Sequence, residues 1–302
     1  MPALHGWGVP GYTNFDELLD TAELDAVCLF LPHHVHLEYV SRVAERGLPI
    51  FLEKPIAANL NDARGITEIC RKRRVTLLVG HNGLFHPPFE RCVEFVRKGW
   101  LGRPLFARGF WCGWLHLEPW DFRRHRQQTG GGCWIDAGGH MIYRLREMFG
   151  TVTDVTGLLA KLNRPEVEGE DLATACLRYE SGAIAELSVS YGLKMPGYQS
   201  VWPGGYERAI EIYGDKGAIV YTISPDPELR YFSEIPEAMP PDWQGWLHHR
   251  PCEPFTESFQ HQMSHFIDCL DGKTEPRVTG EDAVETLQVV LSLYEKAEID
   301  HG

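Results

Sequence analysis

The sequence predicts an α/β fold joined to an α+β region: an incomplete doubly wound parallel sheet, then an open, mainly antiparallel sheet. Three observations predict it. Between Asp25 and Gly80, short uninterrupted apolar runs alternate with longer amphipathic stretches, the rhythm of strands and crossover helices. Runs such as Ala26-Val27-Cys28-Leu29-Phe30-Leu31 carry no polar alternation, as expected for parallel strands covered on both faces. After the Gly102-Arg103-Pro104 turn the pattern changes to strand-like segments bounded by turn residues, with few helices.

The elements follow in order. Ala26 to Leu31, Pro49 to Leu52 and Val75 to Val79 read as strands; His36 to Arg46, Asn61 to Arg74 and Pro88 to Lys98 read as helices. The second part reads as strands over Leu105 to Trp111, Thr153 to Leu162, Leu172 to Tyr179, Ala183 to Tyr191, Glu207 to Tyr213 and Ala218 to Ile223, interrupted by one helix from about Cys133 to Met148. Pro225 to Pro254 holds seven prolines and is expected to be loop or short extended pieces. Two closing helices are expected over Thr256 to Leu270 and Gly280 to Ile299. The change of pattern divides the chain into residues 1–103 and 104–302.

Composition narrows the partners. At 302 residues, 43% of them apolar and 24% charged, the chain can bury a real core. A net charge of −13 repels phosphate backbones and anionic lipid, so the expected ligand is a small molecule, with neither nucleic acid nor membrane as partner. No apolar run approaches the ~20 residues of a membrane helix. The eight cysteines are scattered singly, which suits reduced thiols in a cytoplasmic, reducing compartment and supplies no zinc site.

Gly6-Trp7-Gly8-Val9-Pro10-Gly11 matches the G-x-G-x-x-G pattern of a phosphate-cradling turn. That motif works only where a strand delivers it and a helix begins within it, and Pro10 removes an amide the helix start would present. A glycine-rich turn before a helix at Phe15 is the expectation instead.

Two other segments carry candidate chemistry. Pro49-Ile50-Phe51-Leu52-Glu53-Lys54-Pro55 puts a Glu-Lys pair at the carboxyl end of a buried strand, the edge where open α/β sheets bind ligands. A lysine there can steady a developing alkoxide; it can equally be a solvated turn residue. In Gly130-Gly131-Gly132-Cys133-Trp134-Ile135-Asp136-Ala137-Gly138-Gly139-His140, helical spacing places Asp136 and His140 on one face, where the carboxylate would orient the imidazole and raise its basicity. The alternative is a capped helix start with a satisfied histidine. Trp120, Arg123 and Arg124 precede the glycine run and suit a pocket for sugar rings and hydroxyls; Trp111 and Trp114 read as packing or as further wall. His33, His34 and His36 have no carboxylate or cysteine at ligand spacing, so no metal is expected.

Taken in order, Phe30-Leu31-Pro32-His33-His34-Val35-His36, Glu53-Lys54-Pro55, Gly80-His81-Asn82, the Gly131-to-His140 motif and Val278-Thr279-Gly280-Glu281-Asp282-Ala283 resemble the glucose-fructose oxidoreductase and inositol dehydrogenase family, also called Gfo/Idh/MocA. The resemblance runs from about Gly8 to the final helix. It implies a Rossmann domain, NAD or NADP as cofactor, and oxidation or reduction at a secondary alcohol of a sugar, cyclitol or related polyol. It carries catalytic roles to Lys54, Asp136 and His140. It places Leu31, Pro32, His33, His36, Glu53, Lys54 and Asn82 along the dinucleotide, and Trp120, Arg123, Arg124, Asp136 and His140 at the substrate. The Lys54-Pro55 bond is often cis in the family, which would help aim Lys54.

The resemblance further implies a dimer or tetramer. The family's opening strand, helix and strand, with their glycine fingerprint, have no counterpart here, so the expected sheet is incomplete. Two other functions stay open on the same scaffold: a non-catalytic, sugar-responsive sensor or subunit, and a lyase or epimerase with tightly held NAD.

Overall fold

Three parallel strands, β1 (Val27–Leu29), β2 (Ile50–Glu53) and β3 (Leu77–Gly80), form the first sheet in that order. The computed structural model describes residues 9–194, 206–224, 226–249 and 252–301; the first half of the glycine motif, Gly6 to Gly8, lies outside them. β2 and β3 are buried almost throughout, which is why their sequences lack polar alternation.

Of the helices α1 (Phe15–Thr21), α2 (His36–Glu45), α3 (Leu60–Arg73) and α4 (Pro87–Arg97), α2 packs on β1 and β2 and α3 lies against α2. The side chain of Asn14 caps α1, and that of Asn59 caps α3 by accepting from the Asp62 amide. β1 is shorter than the run Ala26 to Leu31 because the chain turns away at Leu31, whose carbonyl lies 2.9 Å from a ring nitrogen of His36. β3 starts two residues after Val75, since Arg74 takes a left-handed conformation (φ 56°) and the Val75 amide still bonds to Cys70 at the end of α3.

The second sheet has nine strands: β4 (Pro104–Gly113), β5 (Val152–Ala160), β6 (Leu172–Tyr179), β7 (Ile184–Ser190), β8 (Tyr206–Gly214), β9 (Gly217–Ser224), β10 (Glu228–Ser233), β11 (Leu247–His249) and β12 (Ile299–Asp300). Their order is β11-β10-β9-β8-β4-β7-β6-β5-β12. Most pairs are antiparallel, but the central β4–β7 pair and the edge β5–β12 pair are parallel. The proline-rich segment is less irregular than its composition suggests. β10 occupies the proline-free stretch Glu228–Ser233 and pairs along its whole length with β9.

Between β4 and β5 lie α5 (Arg126–Thr129), a single π-helical turn over Trp134–Gly138, and α6 (Gly139–Phe149). The expected single helix from Cys133 is therefore two pieces of different pitch. The closing helices α7 (Glu257–Leu270) and α8 (Gly280–Lys296) return to the first sheet. Phe266 of α7 meets Phe51 edge-on at 5.7 Å, and the Val79 amide donates to the Val278 carbonyl at 3.1 Å. A Thr279–Asp282 capping box opens α8, and buried Leu287, Val290 and Leu293 join both sheets in one apolar core. No helix among the described residues is long and apolar enough to cross a membrane.

Candidate active site

The carboxyl ends of β2 and β3 face the π-helical turn across a cavity of about 300 Å³. Glu53, Lys54, Asn82, Trp111, Leu115, Arg123, Asp136, Ala137, His140, Tyr191, Phe255 and Phe259 line it. Lys54 follows the last residue of β2 and precedes Pro55 across a cis peptide bond.

The glycine run is shaped by close approach. Gly130 (φ 90°) ends α5 with no room for a side chain against the Ala58 carbonyl. At Gly132 an added Cβ would lie 2.0 Å from the Glu170 carbonyl oxygen. The fully buried Glu170 carboxylate accepts from the Gly132 amide at 3.1 Å, the Trp134 amide at 2.8 Å and the Tyr294 hydroxyl at 2.8 Å, while its carbonyl accepts from the Cys133 amide at 2.9 Å. These bonds satisfy the free amides at the start of the turn that carries Asp136.

Asp136 meets three donors. Lys54 pairs with Oδ1 and also donates to the Asp136 backbone carbonyl at 3.1 Å; Tyr191 donates to Oδ2, and Arg123 Nε lies 3.6 Å from that oxygen. Burial works to raise the Asp136 carboxyl, but Lys54, Arg123 and the Tyr191 hydroxyl hold it well below the usual carboxylate range. Burial and the Asp136 charge together push the Tyr191 phenol well up, so it stays a donor. Glu53, one residue from Lys54, is pushed up to about 7, chiefly by burial.

His140 differs from the sequence expectation. Its ring makes no hydrogen bond to another described residue, and Asp136 does not orient it, because Lys54 and Tyr191 have taken both carboxylate oxygens. The imidazole instead stacks on Trp111 (4.7 Å, 28°) and meets the His81 ring edge-on at 5.5 Å. Burial, with Lys54, His81 and Arg144 nearby, moves it well below the ordinary histidine value rather than raising its basicity. At neutral pH it is an uncharged imidazole with both nitrogens available.

Of the remaining sequence candidates, Glu53, Asn82 and Arg123 line the cavity with this group. Asn82 donates to Ser258 Oγ at 2.9 Å, and Arg123 Nη1 donates to Asp121 at 3.1 Å. Leu31 and Pro32 form the turn after β1. His33 is buried, bonds to the Thr129 carbonyl at 3.0 Å and is pushed down to about 3, chiefly by burial. His36 is fully buried, its ring nitrogens 2.9 Å from the Leu31 carbonyl and 3.1 Å from that of Ile56, so the N–H of the neutral ring donates to one of them and braces the strand end from within.

Trp120 and Arg124 lie outside the cavity lining: the indole is 81% exposed, and Arg124 Nε turns to the Glu166 carbonyl at 3.4 Å. Trp111 is wall, whereas Trp114 sits over the Arg164 guanidinium at 4.4 Å. Tyr191, Phe255 and Phe259 carry no motif, and the sequence reading missed them. Among the described residues no group of three or more His, Cys, Asp or Glu is placed to hold a metal.

Two family models match the chain. Residues 3–81 match an oxidoreductase family with an NAD-binding Rossmann fold, and residues 89–220 match the GFO/IDH/MocA C-terminal domain. The chain belongs to the Gfo/Idh/MocA oxidoreductase family. Family members among its relatives include the scyllo-inositol 2-dehydrogenase (NAD(+)) of Bacillus subtilis strain 168, 26% identical over 91% of this chain and 76% of that protein. Another is the D-apiose dehydrogenase of Paraburkholderia graminis, 27% identical over 94% of this chain and 73% of that protein. The fold is shared with the crystal structure of aldose-aldose oxidoreductase from Caulobacter crescentus complexed with glycerol (TM-score 0.79, 22% identity), which aligns with 97% of this chain over 84% of its own.

The Gfo/Idh/MocA match brings a nicotinamide dinucleotide with it, and the cavity corner fits that group's reactive end. Glu53, Lys54 and Asn82 sit at the strand ends that bind ligands in open α/β sheets. The mostly buried Glu53 carboxyl is approached there by the Lys54 amide.

Proposed function

We propose that this protein oxidises or reduces a secondary alcohol of a sugar, cyclitol or related polyol, with NAD or NADP as the hydride partner. The Lys54–Asp136 ion pair beside an uncharged His140, in one cavity at the carboxyl ends of parallel strands, carries the reading. The relatives' names, a scyllo-inositol 2-dehydrogenase and a D-apiose dehydrogenase, support the substrate class.

A bound NAD(P) supplies the hydride acceptor in the oxidative direction. Lys54 spends two of its three protons on Asp136, which fixes the ammonium and leaves one to donate to the substrate oxygen as negative charge develops there. His140 takes the hydroxyl proton at a ring nitrogen, and Asp136 holds Lys54 in place and charged. Glu53 and Asn82 flank the nicotinamide end; Leu31, Pro32, His33 and His36 shape the loop along the dinucleotide. Arg123 faces the substrate from the same polar side, beside Asp136. In this reading residues 1–103 form the dinucleotide-binding part and 104–302 the substrate-binding and assembly part of a cytoplasmic dimer or tetramer.

The test joins binding to turnover. Millimolar NAD or NADP raises the unfolding midpoint in differential scanning fluorimetry if the site is competent, and a polyol and sugar panel is then followed at the nicotinamide absorbance. Lys54→Met and His140→Ala are expected to cut turnover by roughly a thousandfold while keeping the cofactor shift. A biological role that survives both substitutions overturns the catalytic reading in favour of a sensor. The acidic limb of kcat/KM should fall below pH 6.5, because the free-enzyme His140 is moved down from the histidine value; a limb above 7 contradicts His140 as the base.

A further inference from the structure

The cavity is divided. Its polar side is the Lys54, Asp136 and His140 corner with Glu53, Asn82 and Arg123; its other side is Trp111, Leu115, Phe255 and Phe259. Part of the polar side is already engaged, which leaves Lys54, His140 and Glu53 as the groups that face a ligand's hydroxyls. Both Asp136 oxygens hold Lys54 and Tyr191, Arg123 Nη1 is turned to Asp121, and the Asn82 amide nitrogen donates to Ser258. A free hexitol, with a hydroxyl on almost every carbon, would leave several of them facing apolar surface, each costing affinity when buried without a partner.

The apolar side is, by contrast, braced from behind. The buried Arg208 guanidinium lies 4.7 Å from the Phe255 ring centroid and 5.0 Å from that of Trp111. Phe259 meets Phe255 edge-on at 6.4 Å and is half exposed, so the wall continues from the stacked His140–Trp111 pair toward solvent. A half-exposed phenylalanine beside two supported rings is a surface that a flat apolar group covers well.

Resting on the dehydrogenase reading of the same cavity, we propose that its substrate is a glycoside with an aromatic aglycone: the sugar hydroxyl meets the Lys54–His140 corner while the aryl ring lies on the Trp111–Phe255–Phe259 wall. The wall then selects the substrate by its apolar half and leaves the sugar few hydrogen bonds to satisfy.

Isothermal titration of the full chain with paired probes tests this: the methyl and phenyl β-glycosides of glucose, galactose and xylose, with phenol alone as control. For at least one sugar the phenyl glycoside should bind roughly tenfold or more tightly than the methyl glycoside, the scale expected for burying part of a ring against an aromatic wall. Phe259→Ala, at a half-exposed position where folding is not at stake, should shrink that ratio severalfold. The proposal is overturned if phenyl and methyl glycosides bind alike for every sugar, if no glycoside of the set binds, if phenol alone binds as tightly as the phenyl glycosides, or if Phe259→Ala leaves the ratio intact. Phenyl glycosides that bind with the expected ratio yet are never oxidised would fault the dehydrogenase reading and spare this one. Free polyols turned over by a protein blind to the aryl group would do the reverse.

Discussion

Partly buried Asp136 and fully buried Glu170 both hold the same glycine-rich turn, yet they are held in opposite ways. Asp136, near the turn's far end, is ringed by an ammonium, a guanidinium and a phenol, and stays ionised. Glu170, at its start, meets backbone amides and a tyrosine hydroxyl, and burial outweighs these and pushes it up. The difference separates two tasks that look alike in sequence. A carboxylate among cationic side chains can orient a reacting ammonium; one among amides can only fix the backbone.

The strongest way to break this division is Gly132→Ala, whose Cβ would collide with the Glu170 backbone. About 3 kcal/mol of stability should be lost, read as a fall in the denaturation midpoint, with activity disappearing alongside the fold. Lys54→Met comes next and acts at the other end. It should remove roughly a thousandfold of turnover, with a smaller loss of about 2 kcal/mol because Arg123 and Tyr191 still face Asp136. Equal losses of stability in the two variants would erase the distinction.

Tyr191→Phe sharpens it. One of three donors to Asp136 goes, so stability should drop by about 1 kcal/mol in urea titration and turnover by about tenfold, without unfolding the glycine run. The smallest effect is expected from Glu53→Gln. The folded-state value near 7 lies above the ordinary 4.5, so the ionisation penalty begins as pH rises past about 4.5 and is complete above about 7. The variant should therefore gain thermal stability over the parent at pH 8 and little or none at pH 4.5; a gain independent of pH would place the Glu53 charge elsewhere.

The legible parts of this molecule were those written locally. Uninterrupted runs such as Phe51-Leu52 and Leu77-Leu78-Val79 gave the parallel strands, and Lys54, Asp136 and His140 stood out by motif and do meet in one cavity. What stayed hidden depends on distant partners. Tyr191 directly follows an ordinary strand and acquires its meaning from Asp136, 55 residues earlier in the chain. Glu170 sits in Gly169-Glu170-Asp171, which reads as surface turn chemistry until Gly132 and Trp134 reach it. The Asp136–His140 spacing suggested a pair, but a π-helical turn and a nearer lysine redirected the carboxylate. Trp120 and Arg124 looked like pocket residues by composition, and composition says nothing of which way a loop turns them.

The return of the last two helices to the first sheet also orders events during synthesis. Phe51 and Leu78 leave the ribosome well before Phe266, which covers them, and Val278, which bonds to Val79. Until α7 emerges the first sheet therefore keeps one apolar flank open to solvent or to a chaperone. A premature stop anywhere before α7 would leave that flank permanently bare, so nonsense alleles that remove α7 should behave as aggregating, not merely shortened, products.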